Sequence, residues 1–139
     1  MTALLEAEVE LLVPFHDVDA MGVVWHGHYV KYLEVARTEL LRRFRYDYGD
    51  MRDSGYLWPV VRCELKYVKP ARYGQRLKVR AALVEADPRL CIRYEIRDAE
   101  SGARLTRAET VQAAVDAATG ELQLCAPPLV AELLERVEP

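Results

Sequence analysis

The feature that most constrains this chain is its single long helical pattern, which lies between residues 29 and 45. Apolar residues recur there at three- and four-residue spacing and form one stripe of a helix: Tyr29, Leu33, Ala36, Leu40 and Phe44. Charged residues occupy the opposite face, so this helix buries one side and exposes the other. The rest of the chain must therefore supply the surface that covers the stripe.

Most of the remaining chain alternates between apolar and polar residues, which predicts strands. The predicted strands are 8–15, 61–67, 77–83, 90–97 and 104–116. Short turn sequences join the last four strands, so we expect them to be largely antiparallel. In the last one the apolar phase slips between Leu105 and Val111, which predicts a β-bulge.

The segments between and after these strands are shorter. Residues 47–58 are punctuated by glycine and proline and are predicted to be irregular. Pro127 and Pro128 are predicted to begin a short C-terminal helix that ends near Arg136. One long helix against five largely antiparallel strands makes a single α+β domain of two layers.

The composition of the chain limits the classes of function that it can have. The chain has 139 residues, of which 51% are hydrophobic, enough for one domain with a proper core. A net charge of −3 argues against nucleic-acid binding driven by bulk electrostatics. The first eight residues lack the basic flank of a secretory signal, and no apolar run is long enough to span a bilayer, so we expect a cytoplasmic protein. The three cysteines are expected to be buried free thiols.

A polar turn lies directly before the long helix and carries Asp17, Asp19 and all three histidines. A helix N-terminus presents free backbone N–H groups and the positive end of the helix dipole, which favour an anion. An aspartate beside it is suited to nucleophilic or general-base chemistry. Capping of the helix or holding of the turn is the commoner role of such aspartates, and the residues alone leave both interpretations open.

The same stretch carries a family resemblance. Residues 15–26, FHDVDAMGVVWH, followed by Tyr29 and by Glu34 and Arg37 on the helix, resemble the 4-hydroxybenzoyl-CoA thioesterase family. The motif is D-x-D-x-x-G-x-V-[WY]-[HY], and the resemblance is to the Tol-Pal-associated (YbgC-like) acyl-CoA thioesterases in particular. It implies the hotdog fold, in which an antiparallel five-stranded sheet wraps around a long central helix. It also implies a homodimer or homotetramer with active sites at the subunit interface.

The resemblance implies roles for two residues of the motif. Asp19, the second aspartate of D-x-D, would attack the thioester or activate water. The side chain of His26 would bind the thioester or orient Asp19, and its backbone N–H would stabilise the oxyanion. The reaction would need neither metal nor cofactor, since coenzyme A is part of the substrate. Phe15 stands where the subgroup usually has tyrosine, and Met21 where many relatives have glycine or proline, so the rate or the substrate range is expected to differ.

The predicted substrate contacts are more widely spread. Val24 and Trp25 of the motif, together with Leu57, Trp58 and Val60, are predicted to line the acyl pocket, with ordinary core packing as the alternative. Arg89, in the reversal between two predicted strands, is predicted to bind the phosphates of coenzyme A. A solvated surface arginine is the equally weighted alternative there.

The sequence also leaves other reacting groups and other functions open. Glu34 is a second carboxylate candidate on the helix, although its spacing favours an ion pair with Arg37. The turn's imidazoles and carboxylates suit a metal ion, but their spacing matches no standard metal motif. Ser54 and Ser101 lie outside any G-x-S-x-G sequence. An acyl-thioester dehydratase of the same fold and an acyl-CoA sensor without turnover are the alternative functions.

Overall fold

The computed structural model describes residues 3–137 as one α+β domain. In chain order its elements are β1 (Leu5–Leu12), α1 (Tyr29–Arg43), α2 (Tyr48–Asp53), β2 (Tyr56–Leu57), β3 (Val60–Tyr67), β4 (Arg76–Glu85), β5 (Leu90–Asp98), β6 (Arg104–Gln112), β7 (Val115–Asp116) and α3 (Pro128–Glu135). Single turns of 3-10 helix at Phe15–Asp17 and His26–His28 lie on either side of the turn before α1.

Five strands form one antiparallel sheet in the order β1-β4-β5-β6-β3. Strand β3 pairs with β6 rather than with β4, the strand that follows it in the chain, so β1 and β3 are the two edges. Helix α1 packs across β1 and β4. A five-stranded antiparallel sheet, a long helix and a short C-terminal helix were predicted, and they are confirmed.

The core lies between α1 and the inner face of the sheet. All five residues of the predicted helical stripe are buried, and so are the alternating apolar residues of β4 and β5. Burying each large apolar side chain of this kind is worth about 1.5–3 kcal/mol relative to leaving it exposed. The fold therefore rests on packing the apolar stripe of α1 against the apolar face of strands whose apolar and polar residues alternate.

Two segments differ from their prediction. Residues 47–58 contain α2 and β2. A capping box begins α2: the Asp47 side chain accepts from the backbone N–H of Asp50, and the Asp50 side chain accepts from the backbone N–H of Asp47. The predicted strand 104–116 breaks after Gln112, and its last part pairs with β2 instead. The predicted bulge is present, because the pairing of β5 with β6 shifts register opposite Leu105.

The first strand and two cysteines also differ. Strand β1 ends at Leu12, and Phe15, predicted to face the core with Val13, is 72% exposed because the chain turns after Pro14. All three cysteines are free thiols, but Cys63 and Cys125 are exposed and only Cys91 is buried. Cys63 lies on β3, beyond the part of the sheet that α1 covers.

Candidate active site

The polar turn before α1 is a small β-hairpin that precedes the helix directly. Val18 and Val24 form an antiparallel bridge, and the backbone N–H of Trp25 donates to the carbonyl of Asp17 over 3.0 Å. A three-residue loop closes the hairpin, with Gly22 at φ +79°, a conformation that glycine adopts without steric cost. The hairpin is fastened to the neighbouring loop, since the N–H of Val24 donates to the carbonyl of Ala71 at 2.8 Å.

Asp19 occupies the first position of the closing turn and is partly buried. Its Oδ1 accepts from the backbone N–H of Met21 at 2.8 Å, and its carbonyl accepts from the N–H of Gly22. Its other carboxylate oxygen receives no hydrogen bond from residues 3–137. One oxygen of Asp19 therefore orients the side chain, and the second is available to a substrate or a water molecule.

His26 begins the 3-10 turn that leads into α1. Its backbone N–H donates to no acceptor within residues 3–137, as expected at a helix start. Its carbonyl accepts from the hydroxyl of Tyr67 on β3 at 2.8 Å. Asp19 faces Val23 across the hairpin, and two residues lie between Val23 and His26, so the Cα atoms of Val23 and His26 are at most about 10 Å apart.

The indole of Trp25 covers the entry to the helix. Its ring centroid lies 4.9 Å from that of His26 and 5.3 Å from that of His28, and the side chain is 48% exposed. A Cβ atom added to Gly27 would lie 2.2 Å from the ring. The absence of a side chain at Gly27 therefore allows the indole to lie against the first turn.

Asp17, the first aspartate of the motif, is buried beneath the hairpin. Its side chain has no exposed surface and accepts from Lys31 Nζ and from the hydroxyl of Tyr32, each at 2.6 Å. Burial by itself favours the neutral acid, but these two hydrogen bonds and the Lys31 charge outweigh it and hold the pKa of Asp17 below its ordinary value. Burial and the Asp17 carboxylate raise the pKa of Tyr32, so the phenol stays a donor.

Glu34, the rival carboxylate, is occupied elsewhere along α1. It forms an ion pair with Arg37, as its spacing predicted, and accepts from the hydroxyl of Tyr48 at 3.4 Å. Arg37 is buried beside it. This pairing leaves Glu34 as part of the packing between α1 and α2, one to two turns beyond the hairpin.

The other predicted substrate contacts lie at the opposite end of the sheet. Val60 begins β3 and pairs with Gln112, which in turn pairs with Leu90, the residue after Arg89. Arg89 is exposed in the turn between β4 and β5. The hairpin adjoins the other end of β4, through a bridge between Val23 and Arg72. The ten residues of β4 separate the two ends by roughly 30 Å.

The acyl-pocket candidates differ in burial. Trp58 is 7% exposed and donates from Nε1 to the hydroxyl of Tyr46 at 2.9 Å, so it belongs to the core. Leu57 and Val60 are exposed, and Val24 is buried. The structure thus brings Asp19, Val24, Trp25 and His26 together and leaves Trp58, Val60 and Arg89 at the far end.

Some residues around the hairpin were missed by sequence reasoning. Lys31 was treated only as a charged residue of the helix and Tyr67 only as a strand residue, and Tyr32 was given no role. Asp17 lies 14 residues before Lys31 and 15 before Tyr32, so no local spacing indicates these two contacts. The hydrogen bond of Tyr67 joins residues 41 apart in sequence, and no local pattern indicates it.

The part of the chain that the structure describes contains neither a metal-binding cluster nor a membrane-spanning helix. Within residues 3–137, no group of three or more His, Cys, Asp or Glu side chains is placed to hold a metal ion. The longest described helix has 15 residues and a charged face, and no described helix has the length and apolarity of a membrane span.

Comparison with known proteins agrees with this fold and motif. A family model described as the Thioesterase-like superfamily matches residues 13–137. A Synechocystis protein named as a putative esterase is 34% identical over 128 residues, which cover 91% of this chain and 77% of that protein. The Escherichia coli acyl-CoA thioester hydrolase YbgC is 32% identical over 71 residues, which cover 51% of this chain and 53% of that protein.

A solved structure gives the same result for the fold. The crystal structure of a 1,4-dihydroxy-2-naphthoyl-CoA thioesterase from Synechocystis superposes with a TM-score of 0.81. The alignment covers 96% of this chain and 99% of that chain at 24% sequence identity. At this identity the likeness establishes the fold, and the predicted hotdog architecture is confirmed.

Proposed function

The chain belongs to the Thioesterase-like superfamily, and on this premise we propose that it hydrolyses an acyl-CoA thioester to the free acid and coenzyme A. The observation that carries the proposal is a carboxylate with one oxygen that accepts from no described residue, on the hairpin that leads into a helix start whose first N–H has no acceptor within residues 3–137. The sequence relative named as an acyl-CoA thioester hydrolase supports the substrate class.

Asp19 is the reacting carboxylate of the proposed mechanism. As nucleophile, it attacks the thioester carbonyl, and the carbon–sulfur bond breaks to release the coenzyme A thiolate and leave a mixed anhydride, which water then hydrolyses. As general base, it takes a proton from water as the water oxygen attacks the same carbon; the carbon–sulfur bond then breaks, and the proton passes from Asp19 to the departing thiolate. Both routes give the same products and use no metal or further cofactor.

The start of α1 supplies the oxyanion site in this proposal. The backbone N–H of His26 has no acceptor within residues 3–137 and lies in the turn that leads into α1, where the helix dipole favours the negative charge that develops on the carbonyl oxygen. An oriented donor of this kind is worth about 3–4 kcal/mol in the transition state. The imidazole of His26, held near Trp25, hydrogen-bonds the thioester or a water molecule.

We further propose that the functional unit is a homodimer or a homotetramer of such dimers. Strand β3 is an uncovered edge, and seven of its eight residues are exposed. It runs from Val60, near Arg89, to Tyr67, which contacts His26. Antiparallel pairing of two β3 edges about a two-fold axis brings the Arg89 end of one protomer to the Asp19 end of its partner. Light scattering that found a stable 15.9 kDa monomer at micromolar concentration would contradict the assembly.

Asp19→Asn tests the chemistry. The change preserves size but removes the charge, so kcat for acyl-CoA hydrolysis, followed by thiol release, is expected to fall about 10²- to 10⁴-fold. Binding of a non-hydrolysable acyl-CoA is expected to change little. Asp116→Asn is the matched control, because Asp116 also accepts from backbone N–H groups within a turn but lies away from the hairpin. Full activity of Asp19→Asn would refute the assignment, and tight binding without turnover by the wild type would indicate a sensor.

A further inference from the structure

Asp17 is the most deeply enclosed charged group at the site, and the chemistry above does not use it. Its carboxylate has no exposed surface and is held by two side chains of α1, each at 2.6 Å. We propose that Asp17 is a positioning residue, which fixes Asp19 relative to the first turn of α1 through Lys31 and Tyr32. This inference rests on the proposed function of Asp19.

The connectivity around Asp17 gives the mechanical reason. Its side chain is bound to α1, and its backbone carbonyl accepts from the N–H of Trp25, the residue before His26. Asp19 follows two residues later on the other side of the Val18 bridge. One residue therefore connects the hairpin strand that carries Asp19, the strand that leads to His26, and the helix itself.

The hydrogen-bond chemistry of Asp17 favours a carboxylate. Lys31 Nζ donates to its Oδ1 and the Tyr32 hydroxyl to its Oδ2, so both oxygens accept. An asparagine would keep one acceptor oxygen and remove the charge that pairs with Lys31, and its NH₂ group would require either the loss of the Lys31 bond or reversal of the Tyr32 hydroxyl from donor to acceptor. The other titratable side chains near Asp17 are His16, whose Nε2 lies 3.7 Å from Asp17 Oδ1, and His28. Asp17 thus remains ionised and Tyr32 protonated at neutral pH.

The burial of Asp17 separates its role from that of Asp19. A side chain without exposed surface cannot reach a thioester without leaving both of its partners. Asp19, by contrast, is partly exposed and has one oxygen without a donor in the described chain. The two aspartates of the motif therefore have different roles: Asp19 is the reacting group, and Asp17 sets the distance of Asp19 from the oxyanion site.

The test compares Tyr32→Phe, Asp17→Asn and the double variant in steady-state kinetics. Tyr32→Phe removes one hydroxyl and keeps the ring, so it is the milder change. We expect kcat to fall about tenfold in Tyr32→Phe and 10- to 100-fold in Asp17→Asn, since small displacements of reacting groups are costly in rate. KM is expected to stay within about twofold, and the double variant to be no slower than Asp17→Asn, because both changes break one linkage.

Trp25 provides a second readout that loss of stability alone would not move. In folded protein, release of the hairpin should increase acrylamide quenching of Trp25 in both variants, whereas buried Trp58 stays protected. Tyr46→Phe is the matched control, because it removes a buried hydroxyl bonded to Ser54 and Trp58, far from the hairpin. It is expected to lower stability without changing kcat.

Each outcome separates the two proposals. Wild-type kcat in folded Tyr32→Phe and Asp17→Asn, with Asp19→Asn inactive, would overturn the positioning role and leave the proposed function intact. Loss of activity in Asp17→Asn with full activity in Asp19→Asn would overturn both, and would make Asp17 the reacting group. Rate losses that add fully in the double variant would also overturn the shared linkage.

Discussion

The two ends of the sheet differ in how they are built. At the hairpin end, a continuous stretch of ten residues, 17–26, carries the candidate nucleophile Asp19, the candidate oxyanion donor His26 and the buried Asp17. At the far end, Trp58 and Val60 lie in one segment and Arg89 in another, and none of the three donates a hydrogen bond to either of the others in the described structure. A single chain therefore holds the candidate reacting groups at one end and the candidate substrate contacts at the other, and in the proposed dimer a second copy would bring the two together.

The largest expected contrast is between the two tryptophans. Trp58→Ala removes a buried ring and its hydrogen bond to Tyr46, so the free energy of unfolding should fall by about 3–5 kcal/mol. Trp25→Ala removes a half-exposed ring, so stability should change by less than about 1 kcal/mol while kcat/KM for acyl-CoA falls. Urea denaturation and thiol-release assays measure the two quantities.

The same pair of variants tests the pocket assignment of Trp58. If Trp58→Ala fails to fold, Trp58→Phe keeps most of the ring and leaves the Tyr46 hydroxyl without this donor, at a cost of about 1–2 kcal/mol. A Trp58 variant with unchanged stability and an altered acyl preference would contradict core packing and restore Trp58 as a pocket residue.

Much of the hairpin end could be predicted from sequence because its residues are contiguous. The spacing of the aspartates, Gly22 and His26 was enough to predict a turn at a helix start. Which aspartate is buried depends on how the hairpin lies on α1. That placement is seen only in the structure, where the hydroxyl of Tyr32 donates to Asp17. The capping box at Asp47 was present in the sequence but was not recognised.

The far end was harder to predict for a physical reason. Local periodicity gives the strands but not which edges meet, so the separation of Arg89 from Asp19 by the length of β4 follows only from the pairing register. The exposure of β3 likewise follows from the placement of α1 across β1 and β4, which no local pattern indicates.

The next prediction concerns Arg89, which the proposed dimer would bring to the Asp19 end of the partner. If Arg89 binds a phosphate of coenzyme A, Arg89→Ala should raise KM about threefold to tenfold with kcat nearly unchanged, the mark of lost uniform binding. The effect should shrink as salt screens the exposed charge. Arg52→Ala, on the exposed face of α2, is the control. An unchanged KM would move the phosphate site elsewhere.

Hybrid dimers show whether the two ends act together in one site. At substrate concentrations far below KM, Asp19→Asn is inactive and Arg89→Ala is impaired. If every site combines Asp19 of one protomer with Arg89 of its partner, then after mixing and subunit exchange one site of each hybrid dimer carries both changes and the other carries neither. Half of the dimers are hybrids at equal mixing, and each has one intact site of two. The intact sites therefore restore about a quarter of the wild-type activity. Activity that never exceeds the average of the two parents would contradict a shared site.

The smallest expected effect is confined to the hairpin end and concerns Gly27. A Cβ atom at this position would lie 2.2–2.7 Å from three atoms of the Trp25 ring, so Gly27→Ala forces the indole away from the helix start. Because the backbone of Gly27 is not left-handed, alanine itself is tolerated there, and the free energy of unfolding should change by less than about 1 kcal/mol. We expect kcat/KM to fall severalfold and acrylamide quenching of Trp25 to increase.

Gly49→Ala is the matched control for this change. Gly49 lies in α2, also outside the left-handed region, and a Cβ atom there meets nothing within 4 Å. Alanine should therefore stabilise α2 by about 0.5–1 kcal/mol and leave hydrolysis unchanged. If Gly27→Ala and Gly49→Ala behave alike, with full activity and unaltered quenching, the position of the Trp25 ring is irrelevant to catalysis. The hairpin end would then depend on its aspartates and the helix start alone.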